Sequence, residues 1–139
     1  MNENQGTNGK NQEKNYFLLS GALFAMLAVM LGAFGAHGLE KILPEQMLQR
    51  YHTGVEYQFY HAFALLCVGL LRQHLHNKLL IASGISFIAG ILLFSGSLYL
   101  YALSGNKLFG MITPLGGLSF TIGWVCLIKA AWQLAPRKH

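Results

Sequence analysis

Residues 32–61 read GAFGAHGLEKILPEQMLQRYHTGVEYQFYH, a polar stretch set between long apolar runs. It carries three of the chain's six histidines (His37, His52, His61) and three of its five acidic residues (Glu40, Glu45, Glu56). Polar groups wedged between segments long enough to cross a bilayer are costly unless paired or hydrated, which makes this stretch the first place to look for function. Its middle, residues 39–51, is too charged to span. Ile42, Leu43, Met47 and Leu48 alternate there with Glu40, Lys41, Glu45, Gln46, Gln49 and Arg50, and Pro44 stands near the start. That pattern predicts a short amphipathic helix lying at the membrane surface.

On the N-terminal side, residues 16–36 are 21 positions without a formal charge. As a helix they cross a hydrocarbon core of about 30 Å. This run is longer than the roughly 7–15 residues of a signal-peptide core and further spans follow, so a first membrane span is expected rather than a cleaved signal. Small residues at helical spacing, Gly21/Ala25 and Ala28/Gly32/Ala36, predict a close approach by another helix. Residues 1–15 are polar and aperiodic and are expected to form a disordered tail.

On the C-terminal side, residues 52–71 form a second span, polar in its first turns and apolar from Phe59 onward except for His61. A basic turn, RQHLHNK, follows over residues 72–78, with His74 and His76 expected to be solvated. Residues 79–103 give a third span of 25 uncharged positions ending in FSGSLYLY, in which Ser95, Gly96 and Ser97 suggest close packing and hydroxyls bonded to backbone. Ser86/Gly90 offers another close-packing pair. Residues 104–107 (SGNK) read as a turn. The fourth span, residues 108–135, opens on Thr113-Pro114-Leu115-Gly116-Gly117, where a kink or broken first turn is expected. Ser119/Gly123 supplies a further small pair, and Trp124 and Trp132 suggest interfacial depth.

Composition agrees. Of 139 residues 53% are hydrophobic and 11% charged, with no aspartate, 16 glycines and nine phenylalanines; soluble domains approach about a quarter charged. The net charge of +5 is spread through short segments rather than gathered on one face, which points to topology signals and away from nucleic acid. Cys67 and Cys126 fall inside apolar runs and read as small buried residues. Both termini share a side with the 72–78 turn, and that side carries Lys10, Lys14, Arg72, Lys78, Lys129, Arg137 and Lys138, against Lys41, Arg50 and Lys107 opposite. Seven cations against three predict both termini in the cytoplasm.

On a helix turning about 100° per residue, His52, Glu56 and Tyr60 share one face, and Tyr57 and His61 the adjoining one. Together with His37 and Gln58 they make a candidate polar cluster. Three readings compete for it. Glu56 accepts hydrogen bonds and clamps the amphipathic segment to the bundle. His37, His52, Glu56 and His61 bind a metal, although no HExxH or repeated Cys/His pattern is present. Glu56 and the histidines pass protons or a polar solute. The first is favoured, and neither a metal nor a cofactor is expected. No GxSxG serine or paired Cys/His offers a nucleophile, so no catalytic residue is named.

The blocks GAFGAHGL (32–39), TGVEYQFYHAFALL (53–66), LFSGSLYLYAL (93–103) and ITPLGG (112–117), followed by Gly123-Trp124, resemble in order a family of small inner-membrane proteins of the YgdD/YwdK type, a domain-of-unknown-function family. The resemblance implies a four-helix protein of the bacterial cytoplasmic membrane and brings no activity or ligand. It singles out His37, Glu56, Gln58, His61, Ser95, Ser97 and Pro114.

The expected fold is therefore an all-α integral membrane protein within residues 16–135, with spans near 16–38, 52–71, 79–103 and 108–135 and the interfacial helix after the first. Gly32, Ser95, Gly96, Ser97, Pro114, Gly116 and Gly117 are its expected packing or kink positions. The expected role is a non-enzymatic accessory or assembly component that meets the lipid bilayer and a membrane-protein partner or another copy of itself. The alternative is a small transporter or channel-like protein working through Glu56 and nearby histidines.

Overall fold

The computed structural model describes residues 15–134, which fold into helices and short connections without a strand. Apart from Asn15, the tail expected over residues 1–15 lies outside them, as does residue 135. Four helices are long and apolar enough to cross a membrane: α1 (Tyr16–Leu39), α2 (Glu45–His74), α3 (Lys78–Ser104) and α4 (Phe109–Leu134). Over 18 residues of each, α2 and α3 are 44% and 39% buried, against 17% for α1 and for α4. The two middle helices therefore form the core. α1 packs along α2, α4 packs along α3, and α1 and α4 occupy opposite flanks.

The connections follow from their residues. Asn15 caps α1 by accepting from the Leu18 amide at 3.2 Å, and its own amide donates to the Gly69 carbonyl. Asn77 accepts from the Leu79 amide at 2.8 Å to cap α3 and donates to the Gln133 carboxamide at 3.0 Å. These bonds gather the start of α1, the α2–α3 turn and the end of α4 at one end of the bundle. At the other end α3 stops at Gly105, whose φ of +70° is the left-handed conformation that glycine adopts without strain.

The separate interfacial helix expected over residues 39–51 is not formed. After a turn at residues 40–44, with Pro44 immediately before the helix, α2 runs unbroken from Glu45. Its 30 residues rise about 45 Å, more than a ~30 Å core requires, so the amphipathic turns simply continue the span out of the apolar layer. Leu43, Met47 and Leu48 pack there on Leu39, Tyr51 and Ala102, and the Arg50 guanidinium lies 4.7 Å over the Tyr101 ring.

Helix approach is closest where side chains vanish. A Cβ on Gly69 would stand 2.7 Å from the Leu18 nitrogen of α1, and one on Gly21 would stand 2.9 Å from the Leu66 nitrogen of α2. A Cβ on Gly116 would collide with the Phe94 backbone, while Gly90 and Gly123 receive the rings of Phe120 and Phe87. These contacts replace the hydrophobic drive that lipid removes. Gly96 departs from expectation: nothing stands within 4 Å of its Cβ position, and Gly117 makes only ordinary contact with Phe94 at 3.9 Å. Pro114 lies exposed in the turn that begins at Thr113, after a 3-10 turn over Phe109–Met111, so the helix restarts rather than bends. Two wider π turns interrupt α1 and α3, at Gly35–Leu39 and Ile91–Ser95.

Gly116→Leu is therefore expected to separate α3 from α4 and to destabilise the protein by about 3 kcal/mol or more, beyond ordinary overpacking. Gly96→Ala is expected to be neutral, or stabilising by up to about 1 kcal/mol through helix propensity. Thermal unfolding of both variants in the same detergent checks the pair.

Candidate functional site

α2 touches neighbours on most of its circumference, and its polar side chains divide between interior and exterior accordingly. Gln58, 4% exposed, is the inward hub: its amide donates to the Phe24 carbonyl of α1 at 2.9 Å and its oxygen accepts from the Tyr99 hydroxyl of α3 at 2.7 Å. One carboxamide thus joins three helices. One turn or two nearer the polar end, the buried Tyr51 hydroxyl donates to the Leu31 carbonyl at 2.9 Å, and its ring lies 5.1 Å from that of Tyr99. Ser95 donates to the Gly54 carbonyl at 2.6 Å, drawing α3 onto α2 where Gly54 leaves room for the Tyr99 ring.

His61 is buried among rings. It stacks on Phe120 with centroids 3.5 Å apart and planes within 8°, with Phe87 and Trp124 beside it. The Trp124 indole donates to Nε2 at 3.2 Å, and Nδ1 lies 2.7 Å from the Tyr57 carbonyl. Nε2 accepts, so Nδ1 carries the proton and donates: the ring is a neutral imidazole with both nitrogens engaged. Trp124 thus bonds to the interior while its side chain stays 42% exposed, and Trp132 is 82% exposed near the end of α4.

Between α3 and α4 the hydroxyls reciprocate. Ser83 donates to the Gly123 carbonyl and Ser119 to the Ser86 carbonyl, each at 2.8 Å. Ser97 donates to the Phe94 carbonyl at 2.9 Å, leaving its oxygen to accept from Thr113 at 2.7 Å. Hydroxyls bonded to a neighbouring backbone cost nothing in lipid and join helices.

Glu56 is a correction. It does not clamp the amphipathic segment; Tyr51 and Gln58 hold that end of the bundle. The Glu56 carboxylate is exposed on the outer flank, at a groove of about 400 Å³ lined by Ala28, Val29, Gly32 and Ala33 of α1 and Val55, Phe59 and Tyr60 of α2. Among the described residues it meets no hydrogen-bond donor and no cation. His52, half-buried, rests its ring against Gly35 and beside Tyr51. His37 is exposed in the π turn of α1, and Tyr57 lays its ring on Phe94 at 4.6 Å. The six residues of the candidate cluster therefore do not converge. Gln58 and His61 go inward to different neighbours, Glu56 faces outward, and among the described residues no three His, Cys, Asp or Glu side chains stand together to hold a metal. Cys67 faces outward too and Cys126 is half-buried, so neither is the enclosed residue expected.

Sequence reading missed Tyr51 and Ser83, and the hydrogen-bonding roles of Thr113, Ser119 and Trp124. A usable signal existed for Tyr51 and Trp124: a ring carrying an O–H or N–H within a span must find an acceptor.

Four apolar helices around a hydrogen-bonded interior define a multi-pass integral membrane protein. Residues 31–117 match the family described as "Protein of unknown function (DUF423)". The chain is 47% identical over 116 residues to the UPF0382 membrane protein YwdK of Bacillus subtilis, covering 83% of this chain and 94% of that one. It is 47% identical over 122 residues to a UPF0382 membrane protein of Haemophilus influenzae, covering 86% and 96%. With the UPF0382 inner membrane protein YgdD of Escherichia coli the identity is 37% over 119 residues, covering 86% and 91%. The chain belongs to this family. No solved structure matches it.

If Gln58 and Tyr99 act as one bridge, Gln58→Leu and Tyr99→Phe will be non-additive. A double-mutant cycle of unfolding in mixed micelles should give a coupling of about 0.6–1.7 kcal/mol.

Proposed function

We propose that this protein is a non-enzymatic accessory or assembly component of the bacterial cytoplasmic membrane, with both termini in the cytoplasm, that receives a membrane-protein partner on its α1–α2 flank. The observation that carries the reading is the outward carboxylate of Glu56. It is the one formal charge between Arg50 and Arg72, which stand 22 residues, about 33 Å, apart on α2 and bracket the apolar layer. Glu56 lies six residues, about 9 Å, inside Arg50. A carboxylate at that depth on an external face calls for a neighbour from the membrane plane.

Further support comes from how the interior is used. Gln58, His61, Ser83, Ser95 and Ser97 are the buried polar side chains among the described residues, and each is bonded to a neighbour within the bundle. The alternative, a route for protons or a polar solute, would link Glu56 to His61, yet the two lie on different sides of α2. The cation distribution favours the Glu56 end on the outer side of the membrane, and the similarity to YgdD, an inner membrane protein, supports the compartment.

Purification from native membranes in a mild detergent, with photo-cross-linkers at Tyr60 and Phe63 beside Glu56, tests this. A stoichiometric protein cross-linked at those positions is the expected result. Recovery of the chain alone, as a defined homo-oligomer, would overturn the reading. Proton flux in proteoliposomes that Glu56→Gln abolishes would establish the alternative instead.

A further inference from the structure

The accessory reading leaves the chemistry of the partner open, and the groove beside Glu56 narrows it. Ala28, Gly32 and Ala33 keep the α1 wall low, with only the Val55 side chain within 3.4 Å of a Cβ on Gly32. The α2 wall is formed by Val55, Glu56, Phe59 and Tyr60, the last 57% exposed. The stripe continues down α2 through the exposed Phe63, Cys67 and Leu70, at the three-and-four spacing along which a second helix lies.

We propose that this groove receives a lysine or arginine side chain from a transmembrane helix of a different protein, and that Glu56 pairs with it inside the membrane. The inference rests on the accessory reading. A carboxylate held inside the apolar layer without a partner is costly, so an occupant bringing positive charge gains what the isolated chain lacks. Phe59 and Tyr60 line the same groove, and aromatic rings there suit a cation better than a neutral donor. A volume of about 400 Å³ accommodates a long basic side chain, and the low α1 wall admits the backbone that carries it.

The cation does not come from a second copy in the same orientation. α1 contains no lysine or arginine, α3 has none between Lys78 and Lys107, and Lys129 of α4 lies toward the opposite end. Arg50 lies over the Tyr101 ring of α3 rather than in the α1–α2 groove, and among the described residues its buried Nε has no hydrogen-bond partner. Like would meet like along the stripe, setting carboxylate against carboxylate.

The test uses the full chain in phosphatidylcholine vesicles with labelled polyleucine transmembrane peptides, read by energy transfer. One peptide carries a lysine at the depth of Glu56, one a glutamine there and one neither. The lysine peptide should associate about tenfold more tightly than the leucine peptide, what one interhelical polar contact in lipid contributes. Glu56→Gln should remove that advantage, and Glu56→Lys should transfer it to a glutamate peptide, which a merely structural role would not do. Equal binding of the three peptides overturns the proposal. So does displacement of the lysine peptide by tetraphenylphosphonium at lower concentration, which would assign the groove to a small organic cation. Glu56-dependent self-association that the lysine peptide leaves intact would assign it to a second copy. A native partner cross-linked at Tyr60 whose spans lack lysine and arginine would keep the accessory reading and sink the charge pair.

Discussion

Lipid supplies no water to a stray amide, so a glutamine in the middle of a span either finds partners within protein or is not tolerated. Gln58 finds them on both sides. By holding a carbonyl of α1 and a hydroxyl of α3 it fixes the rotation of α2, and that rotation decides the rest. With Gln58 turned inward, Gly54 meets Tyr99 and Ser95, and Gly69 meets the backbone of Leu18. His61 reaches Phe120 and Trp124, and Glu56 is left on the outside. The same geometry that completes the interior thus generates the unpaired exterior group.

The flanking helices depend less on polar bonds and more on absent side chains. α1 leans on α2 through Gly21 and Gly69, and α4 leans on α3 through Gly116 and Gly123, with Ser83 and Ser119 bonding across. Leucine-rich surfaces would give no such preference in a solvent as apolar as themselves. The long exposed faces of α1 and α4 are accordingly rich in Leu, Met, Val and Ile, fit for acyl chains.

The spans were legible because length and charge decide them: uninterrupted apolar runs bounded by cations leave few alternatives to helices. The extension of α2 was not legible, because an amphipathic segment reads alike whether it lies on a surface or continues a helix out of it; the unbroken turns from Glu45 to His52 settle the matter. The candidate site was legible in its residue types and illegible in its grouping. Spacing places His52, Glu56 and Tyr60 on one face, but it does not say whether that face looks inward. Gln58 and His61 needed Phe24, Tyr99, Phe120 and Trp124, which come from other helices. Gly96 shows the converse: small residues mark close approach only where a neighbour arrives.

The π turn at Ile91–Ser95 acts as a phase adjuster in α3. It fits one more residue into the helix than α-helical winding would, so everything beyond it is rotated by about 100° relative to an uninterrupted helix. Phe87 before it meets Gly123 of α4 and His61 of α2, Ser95 at its end and Tyr99 beyond it bond to α2, and Ser97 beyond it bonds to Thr113 of α4. Chain length here is therefore as constrained as residue identity. Removing a single residue between Ile91 and Ser95 would leave hydropathy almost unchanged yet swing Tyr99 away from Gln58, and would do more harm than many substitutions in the same span.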